Sequence, residues 1–216
     1  MRVISGIAKG RQLKGPPGMG TRPMTDRLKT SLFDTLVPFG VAGARVLDLY
    51  AGSGSLGIEM LSRGAIFCDF VEQNAGVCRI IQDNLQTTKL AHLAHIHTMS
   101  VARFLSTKSA GAGDVSSRVE YDIITLDPPY ADPDISSTLE TVALSPLLAP
   151  DGLVVIGHAN RVKLAEDYGN GRIQRVRHRA MGDSAFSIYE ATGPLTAGQR
   201  EPGEDIRNDN APTRPD

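Results

Sequence analysis

From Arg45 to Ile156 the chain alternates between two kinds of apolar pattern. Short apolar runs at Arg45–Leu49, 66–71, 96–99, Tyr121–Leu126 and 153–156 suit buried strands. Between them the apolar residues recur at helical spacing: residues 56–63 with Gly57 inside, the stripe Val77, Ile80, Ile81 and Leu85, residues 101–106, and Ile135–Leu144. This alternation predicts an α/β domain with a mostly parallel sheet and helices on both faces. Two more apolar runs, 173–178 and 185–190, would close the sheet as an antiparallel pair. With 216 residues, 41% of them hydrophobic, the chain is long enough for one such domain with a full core.

Open α/β sheets bind their ligands beyond the carboxyl ends of the strands. Two strand-to-loop transitions carry unusual residues there. The first strand runs into Asp48-Leu49-Tyr50-Ala51-Gly52-Ser53-Gly54, and Gly52 to Gly57 formally matches G-x-G-x-x-G. That fingerprint fits a dinucleotide, with Glu72 at a strand end for ribose hydroxyls, but it also fits S-adenosylmethionine. Asp48 and Asp127 weigh against a pyrophosphate, which they would repel. The sulfonium and ammonium of S-adenosylmethionine are favoured by the same acids. On this reading Ala51, Gly52, Ser53 and Gly54 let the backbone approach the donor, and Asp48 lies near its positive methionine end. Glu72 accepts the ribose hydroxyls, and Gln73 and Ser100 lie near the adenine; Ser100 reads equally well as a helix N-cap.

The second transition is Asp127-Pro128-Pro129-Tyr130. An exocyclic base amine is a poor nucleophile, because its lone pair is delocalised into the ring. Asp127 can accept one amine hydrogen and the Pro128 carbonyl the other. Proline fixes its own φ and restricts the residue before it, so Pro128 and Pro129 hold both acceptors rigidly. Tyr130 can stack on the base. The combination resembles the amino-methyltransferases that act on exocyclic amines of nucleic-acid bases, either RNA or DNA, with the base flipped or single-stranded.

Charge is distributed unevenly. The formal net charge is −1, yet residues 1–30 hold seven basic side chains and one acid, leaving −7 for the remainder. Residues 2–13 read as a basic hairpin, and Arg2, Lys9, Arg11, Lys14 and Arg22 form a local phosphate footprint. Thr25 can cap a helix whose apolar positions are Leu28, Leu32, Phe33 and Leu36. Residues 193–216 contain four prolines and five acids with few apolar anchors, and read as a disordered tail. Cys68 and Cys78 lack metal-ligand spacing and read as buried thiols of a reducing compartment. His92, His95 and His97 have no fourth ligand in sequence, so no metal is expected. No stretch approaches the length of a membrane span, which fits a cytoplasmic enzyme.

The N-terminal third narrows the resemblance. Arg2-Val3-Ile4-Ser5-Gly6, Gly10-Arg11-Gln12-Leu13 and Arg22-Pro23-Met24-Thr25-Asp26-Arg27 resemble the RsmD family, bacterial guanine-N2 methyltransferases of 16S ribosomal RNA. The likeness extends over residues 1–191. It implies a seven-stranded Rossmann-like class I S-adenosylmethionine-dependent methyltransferase fold with an N-terminal β-hairpin extension. The expected parts are a basic hairpin and loop at 1–24, a methyltransferase domain at 25–192 and the tail at 193–216. The resemblance also implies a monomer acting on RNA in an assembling small subunit, with Thr25 closing over the donor and the hairpin holding RNA. Three departures from it stand out: Thr30 stands where relatives usually carry an acid, Ser100 where an Asp or Asn commonly meets adenine, and Ile156-Gly157 interrupts a strand end that often carries an acid.

Overall fold

The computed structural model describes residues 1–16, 24–110, 119–129 and 133–195. Arg22, Tyr130, most of the Gly- and Ser-rich stretch at 109–117 and nearly all of the tail lie outside the described residues. Eight strands form one sheet: β1 (Arg45–Leu49), β2 (Phe67–Glu72), β3 (Ala94–Thr98), β4 (Tyr121–Leu126), β5 (Leu148–Ala159), β6 (Asp167–Tyr168), β7 (Ile173–Met181) and β8 (Ser184–Ala191). Their order is β3-β2-β1-β4-β5-β8-β7-β6. The first five in that order run parallel, and β8, β7 and β6 join antiparallel. The eighth strand, against seven expected, is the two-residue β6, too short to leave a periodic signal.

Five helices cover the sheet: α1 (Asp26–Leu36), α2 (Ser55–Ser62), α3 (Ala75–Thr88), α4 (Val101–Ala110) and α5 (Ile135–Leu144). Leu28, Leu32, Phe33 and Leu36 of α1, Met60 of α2 and Ile81 and Leu85 of α3 pack on one face. Phe104 and Leu105 of α4 and Leu139 and Val142 of α5 fill the other. Caps fix where helices begin. The Thr25 hydroxyl accepts from Leu28 N at 3.2 Å, and the Asn74 side chain accepts from Gly76 N and Val77 N.

The chain lays β1, β2 and β3 outward in one direction, then returns to place β4 on the other side of β1. The carboxyl ends of β1 and β4 therefore open a crevice at the reversal point, where ligands of such sheets bind.

The N-terminal segment folds back on itself as a short hairpin. One antiparallel bridge joins Arg2 to Gln12, and Val3 N donates to Arg11 O at 3.0 Å, Gly10 N to Val3 O at 2.9 Å and Leu13 N to Met1 O at 2.9 Å. The hairpin also docks on α2. Glu59 takes the backbone amides of Ile4 at 2.7 Å and Ser5 at 2.9 Å, and Ile7 N donates to the Ser62 carbonyl. A Cβ at Gly6 would lie 1.7 Å from that carbonyl oxygen, so only glycine permits the approach. Glu59 is fully buried and pairs with Lys29 Nζ at 3.3 Å and Arg63 Nε at 2.9 Å. Lys29 Nζ also donates to Arg2 O at 2.7 Å and Ser55 Oγ at 3.2 Å. The segment, α1 and α2 thus share one buried charge cluster.

Removing one member of a buried ion pair strands the other. Glu59→Gln keeps the shape but leaves Lys29 without its countercharge. The variant is expected to lose ~3–5 kcal/mol of unfolding free energy, measured by urea denaturation. A loss within experimental error would show that the cluster does not hold the N-terminal segment in place.

Candidate active site

The loop after β1 is built on left-handed backbone: φ is 56° at Tyr50, 55° at Gly52 and 75° at Gly54. Glycine takes this conformation without a Cβ penalty. The loop then enters α2 so close to β2 that a Cβ at Gly57 would lie 2.4 Å from the Phe70 ring. Asp48 holds the turn from below. One carboxylate oxygen accepts from Gly57 N at 3.0 Å and the other from Thr125 Oγ1 at 2.8 Å. Burial raises the Asp48 carboxyl to about 7. Its hydrogen bonds to Thr125 and Gly57 oppose that rise, and the neighbouring Asp127 and Glu72 carboxylates add to it.

Asp127 follows β4 across the crevice, and burial raises it too to about 7. A Cβ on Gly157 of β5 would lie 2.7 Å from Asp127 Oδ1 and 3.0 Å from Met24 Cε. The absent side chain at position 157 is what makes room for the carboxylate. A side chain there would press on the Asp127 carboxylate.

Both carboxylates face a cavity of about 340 Å³. Its wall includes ten of the residues expected from sequence: Asp48, Ala51, Gly52, Ser53, Glu72, Gln73, Ser100, Asp127, Pro128 and Pro129. Glu72 braces the glycine loop, accepting from Gly52 N at 3.2 Å and Asn74 N at 2.8 Å. Ser100 is both wall and cap, its hydroxyl accepting from Arg103 N at 3.3 Å. Gly54 shapes the loop without lining the cavity. Thr25 is exposed and caps α1, and its neighbour Met24 lines the cavity instead. Met1 and Pro16 also reach the wall, where Ser53 Oγ donates to Met1 Sδ at 3.4 Å. Sequence carries no signal for these three, because tertiary contacts bring them there: Glu59 holds the amides of Ile4 and Ser5 near Met1, and Asn84 of α3 holds Lys14, two residues before Pro16. Tyr50, Val71 and Val101 supply apolar surface and were legible only as strand or helix positions.

The wall holds three acids, Asp48, Glu72 and Asp127, and no lysine, arginine or histidine among the described residues. The basic side chains lie outside it. Arg2, Lys9 and Arg27 line a separate groove with Asp26 and Thr30. Arg2 pairs with Asp26 at 3.6 Å and Lys14 with Asp83 at 2.8 Å. Lys9 and Arg11 are exposed. Exposed pairs of this kind contribute little and exchange readily for other anions.

Away from the cavity, His95 and His97 of β3 meet Asp69 of β2. Asp69 Oδ1 lies 2.7 Å from His97 Nε2 and 3.6 Å from His95 Nδ1, and Asp69 Oδ2 accepts from Tyr121 OH at 2.9 Å. Burial works to raise the Asp69 carboxyl, but the hydrogen bonds from His97 and Tyr121 outweigh it and hold the group below its ordinary value. His92 stands apart from this group.

The raised carboxyls of Asp48 and Asp127 have a consequence for stability. The native state binds protons up to about 7, whereas the unfolded chain releases them near 3.8. Their contribution to stability is therefore full below the ordinary carboxylate range and is lost as pH rises through about 7. Asp127→Asn is expected to lose less unfolding free energy than the wild type between about pH 6 and pH 8, measured in urea without ligand. An identical loss in both proteins would show that Asp127 does not titrate in that window.

Comparison with known proteins places this geometry. Residues 1–190 match the family model described as Conserved hypothetical protein 95. The chain is 36% identical over 193 residues to YlbH of Bacillus subtilis, covering 89% of this chain and 100% of that protein. It is 29% identical over 190 residues to Ribosomal RNA small subunit methyltransferase D of Escherichia coli K12, covering 88% and 89%. The solved structure of yhhF from Escherichia coli superposes with a TM-score of 0.74 at 28% identity, over 90% of this chain and 99% of that one. A Thermus thermophilus 16S rRNA N2 G1207 methyltransferase shares the fold, with a TM-score of 0.59 at 21% identity over 81% of this chain and 44% of that one. By the match across nearly all of its described residues, the chain belongs to the Conserved hypothetical protein 95 family, the RsmD family, whose relatives include Ribosomal RNA small subunit methyltransferase D.

Proposed function

We propose that the protein transfers a methyl group from S-adenosylmethionine to the exocyclic N2 amine of a guanine in 16S ribosomal RNA. The observation that carries this reading is the charge of the cavity wall: three acids and, among the described residues, no basic side chain, at the reversal point of the sheet. A pyrophosphate cofactor would sit among like charges there. A ligand bearing a sulfonium and an ammonium finds countercharges instead. The family membership supplies the substrate class. The setting that goes with it is cytoplasmic, in an assembling small subunit, with the protein acting as a monomer. Among the described residues no helix is long and apolar enough to cross a membrane.

The residues present fit the donor. Gly52 and Gly54 bring backbone close, and Asp48 and Glu72 each keep acceptor capacity beyond the amides and hydroxyl they already hold. When bound, S-adenosylmethionine supplies an electrophilic methyl on a positively charged sulfur. Asp127 faces the same cavity, so an amine held there sits between carboxylate and donor. Ionised Asp127 accepts one amine hydrogen, the Pro128 carbonyl can accept the other, and the lone pair is left free for the methyl carbon. Methyl transfer, with the thioether as leaving group, would make the nitrogen cationic, and that nitrogen would then have to release a proton. A carboxylate raised to about 7 is matched to receive it near neutral pH. Positioning of the amine supplies the remaining advantage. Tyr130, the expected stacking partner, and Arg22, an expected RNA contact, belong to the same proposal from sequence alone.

Asp127→Ala is expected to lower turnover at least a hundredfold while leaving donor affinity within a few-fold of wild type. Wild-type turnover should fall as pH drops below about 7, because Asp127 then carries a proton and cannot accept the amine hydrogen. Turnover is read on small subunits from a strain lacking the gene, with the lost methyl group located by mass spectrometry of the 16S RNA. Donor affinity is read by calorimetry. An Asp127→Ala protein with activity within threefold of wild type would reject the assignment.

A further inference from the structure

We propose that Arg177 and Arg179 of the outer strand β7 grip the RNA backbone beside the base that enters the acceptor pocket. The proposal rests on the RNA substrate argued above and adds a second contact surface, on β7 and separate from the N-terminal segment.

The register of the sheet carries it. Gly157 of β5 pairs with Phe186 of β8, and Phe186 pairs with Arg179 of β7. Directly paired residues point to the same face of a sheet. The direction of that face is known at Gly157, where an added Cβ would meet Asp127 Oδ1 and Met24 Cε. Arg179 thus stands on the acceptor side, two strands out from Gly157, or about 10 Å at the usual strand spacing. That is comparable to the distance between the Watson–Crick edge of a base and the phosphates of its own strand.

A bulge aims the arginines. Arg175 pairs with Tyr189, but the next pairing is Arg177 with Ile188, two steps on β7 for one on β8. The extra residue turns Arg177 and Arg179 onto the face of Ile188 and Phe186, which pack in the α1 core. Arg175, before the bulge, points to the other face and is engaged by Glu166. Arg177 lies over the Phe39 ring at 5.9 Å, just past the end of α1. Both Arg177 and Arg179 are exposed, and neither pairs with a carboxylate among the described residues. From Ile173 to Met181 the strand has three arginines, one histidine and no acid. β6 covers only its first two residues, leaving the rest as an edge. Charges on an edge also deter aggregation, but that role sets no requirement on the face, and here the bulge chooses the acceptor side.

The test compares wild type, Arg177→Gln/Arg179→Gln and Arg177→Lys/Arg179→Lys. The probe is 16S RNA from cells lacking the gene, free and in small subunits. The Gln pair is expected to weaken RNA binding several-fold and to flatten the slope of log affinity against log salt by about 1.4–1.8, the release of counterions from two phosphates. Donor affinity and melting temperature should stay at wild-type values, and the Lys pair should restore the slope. An unaltered slope in a Gln pair of normal melting temperature would overturn the assignment and leave the arginines as edge protection. If the wild type itself does not methylate the RNA, the functional reading falls, and the arginine assignment with it. If the wild type methylates and the slope is unaltered, the arginine assignment alone falls.

Discussion

The buried carboxylate of Glu59 holds the molecule's two parts in register. It is one group with several partners: two backbone amides of the N-terminal segment, Lys29 of α1 and Arg63 at the end of its own helix. Four donors around one anion offset the cost of taking it out of water, which a single pair seldom does. The geometry of the cavity follows from this cluster. Its location in α2, directly after the glycine loop, ties the segment that carries Met1 to the helix that follows the loop, and Met1 and Met24 both line the cavity. The N-terminal segment is therefore a wall of the active site as well as a carrier of basic side chains.

The two carboxyls in the cavity differ in kind although their pKa values coincide. Asp48 is clamped by Gly57 N and Thr125 Oγ1, so its position is set by helix and sheet together. Asp127 is displaced by burial alone, and its carboxylate sits in space that Gly157 leaves open. The first is suited to a constant electrostatic role, the second to taking up and releasing a proton.

Much of the fold was legible because the strongest apolar runs are bounded by residues that stop them. β1, β4 and α5 occupy the residues read from sequence, each ended by a glycine turn or a proline-rich turn. β5 begins earlier than expected. Leu148-Ala149-Pro150-Asp151-Gly152 reads as a turn, yet it enters the sheet through an irregular register between Tyr121 and Ile123 of β4. Proline and glycine are tolerated at such a bulge. Local pattern could not show this, since the pairing partner lies far away in sequence. The same limit explains the site. Asp48, the glycine loop, Glu72 and Asp127 announce themselves by chemistry at strand ends. Met1, Pro16 and Met24 are ordinary apolar residues that become wall only through tertiary contacts, those of Glu59 and of Asn84 among them. Thr25 is placed over the donor by the family resemblance alone, while the cap read from its residue type is the bond its hydroxyl makes to Leu28 N.

Gly157 has a further consequence, for how such a pocket can change. A strand position facing a reacting group would ordinarily be free to vary in size and so reshape the pocket. Here the first carbon beyond the backbone already collides with Asp127 and Met24. At that position the sheet wall of the cavity is at its minimum size, so enlargement of the proposed acceptor pocket has to come from other parts of the wall, such as Met24, whose methyl group is the yielding neighbour.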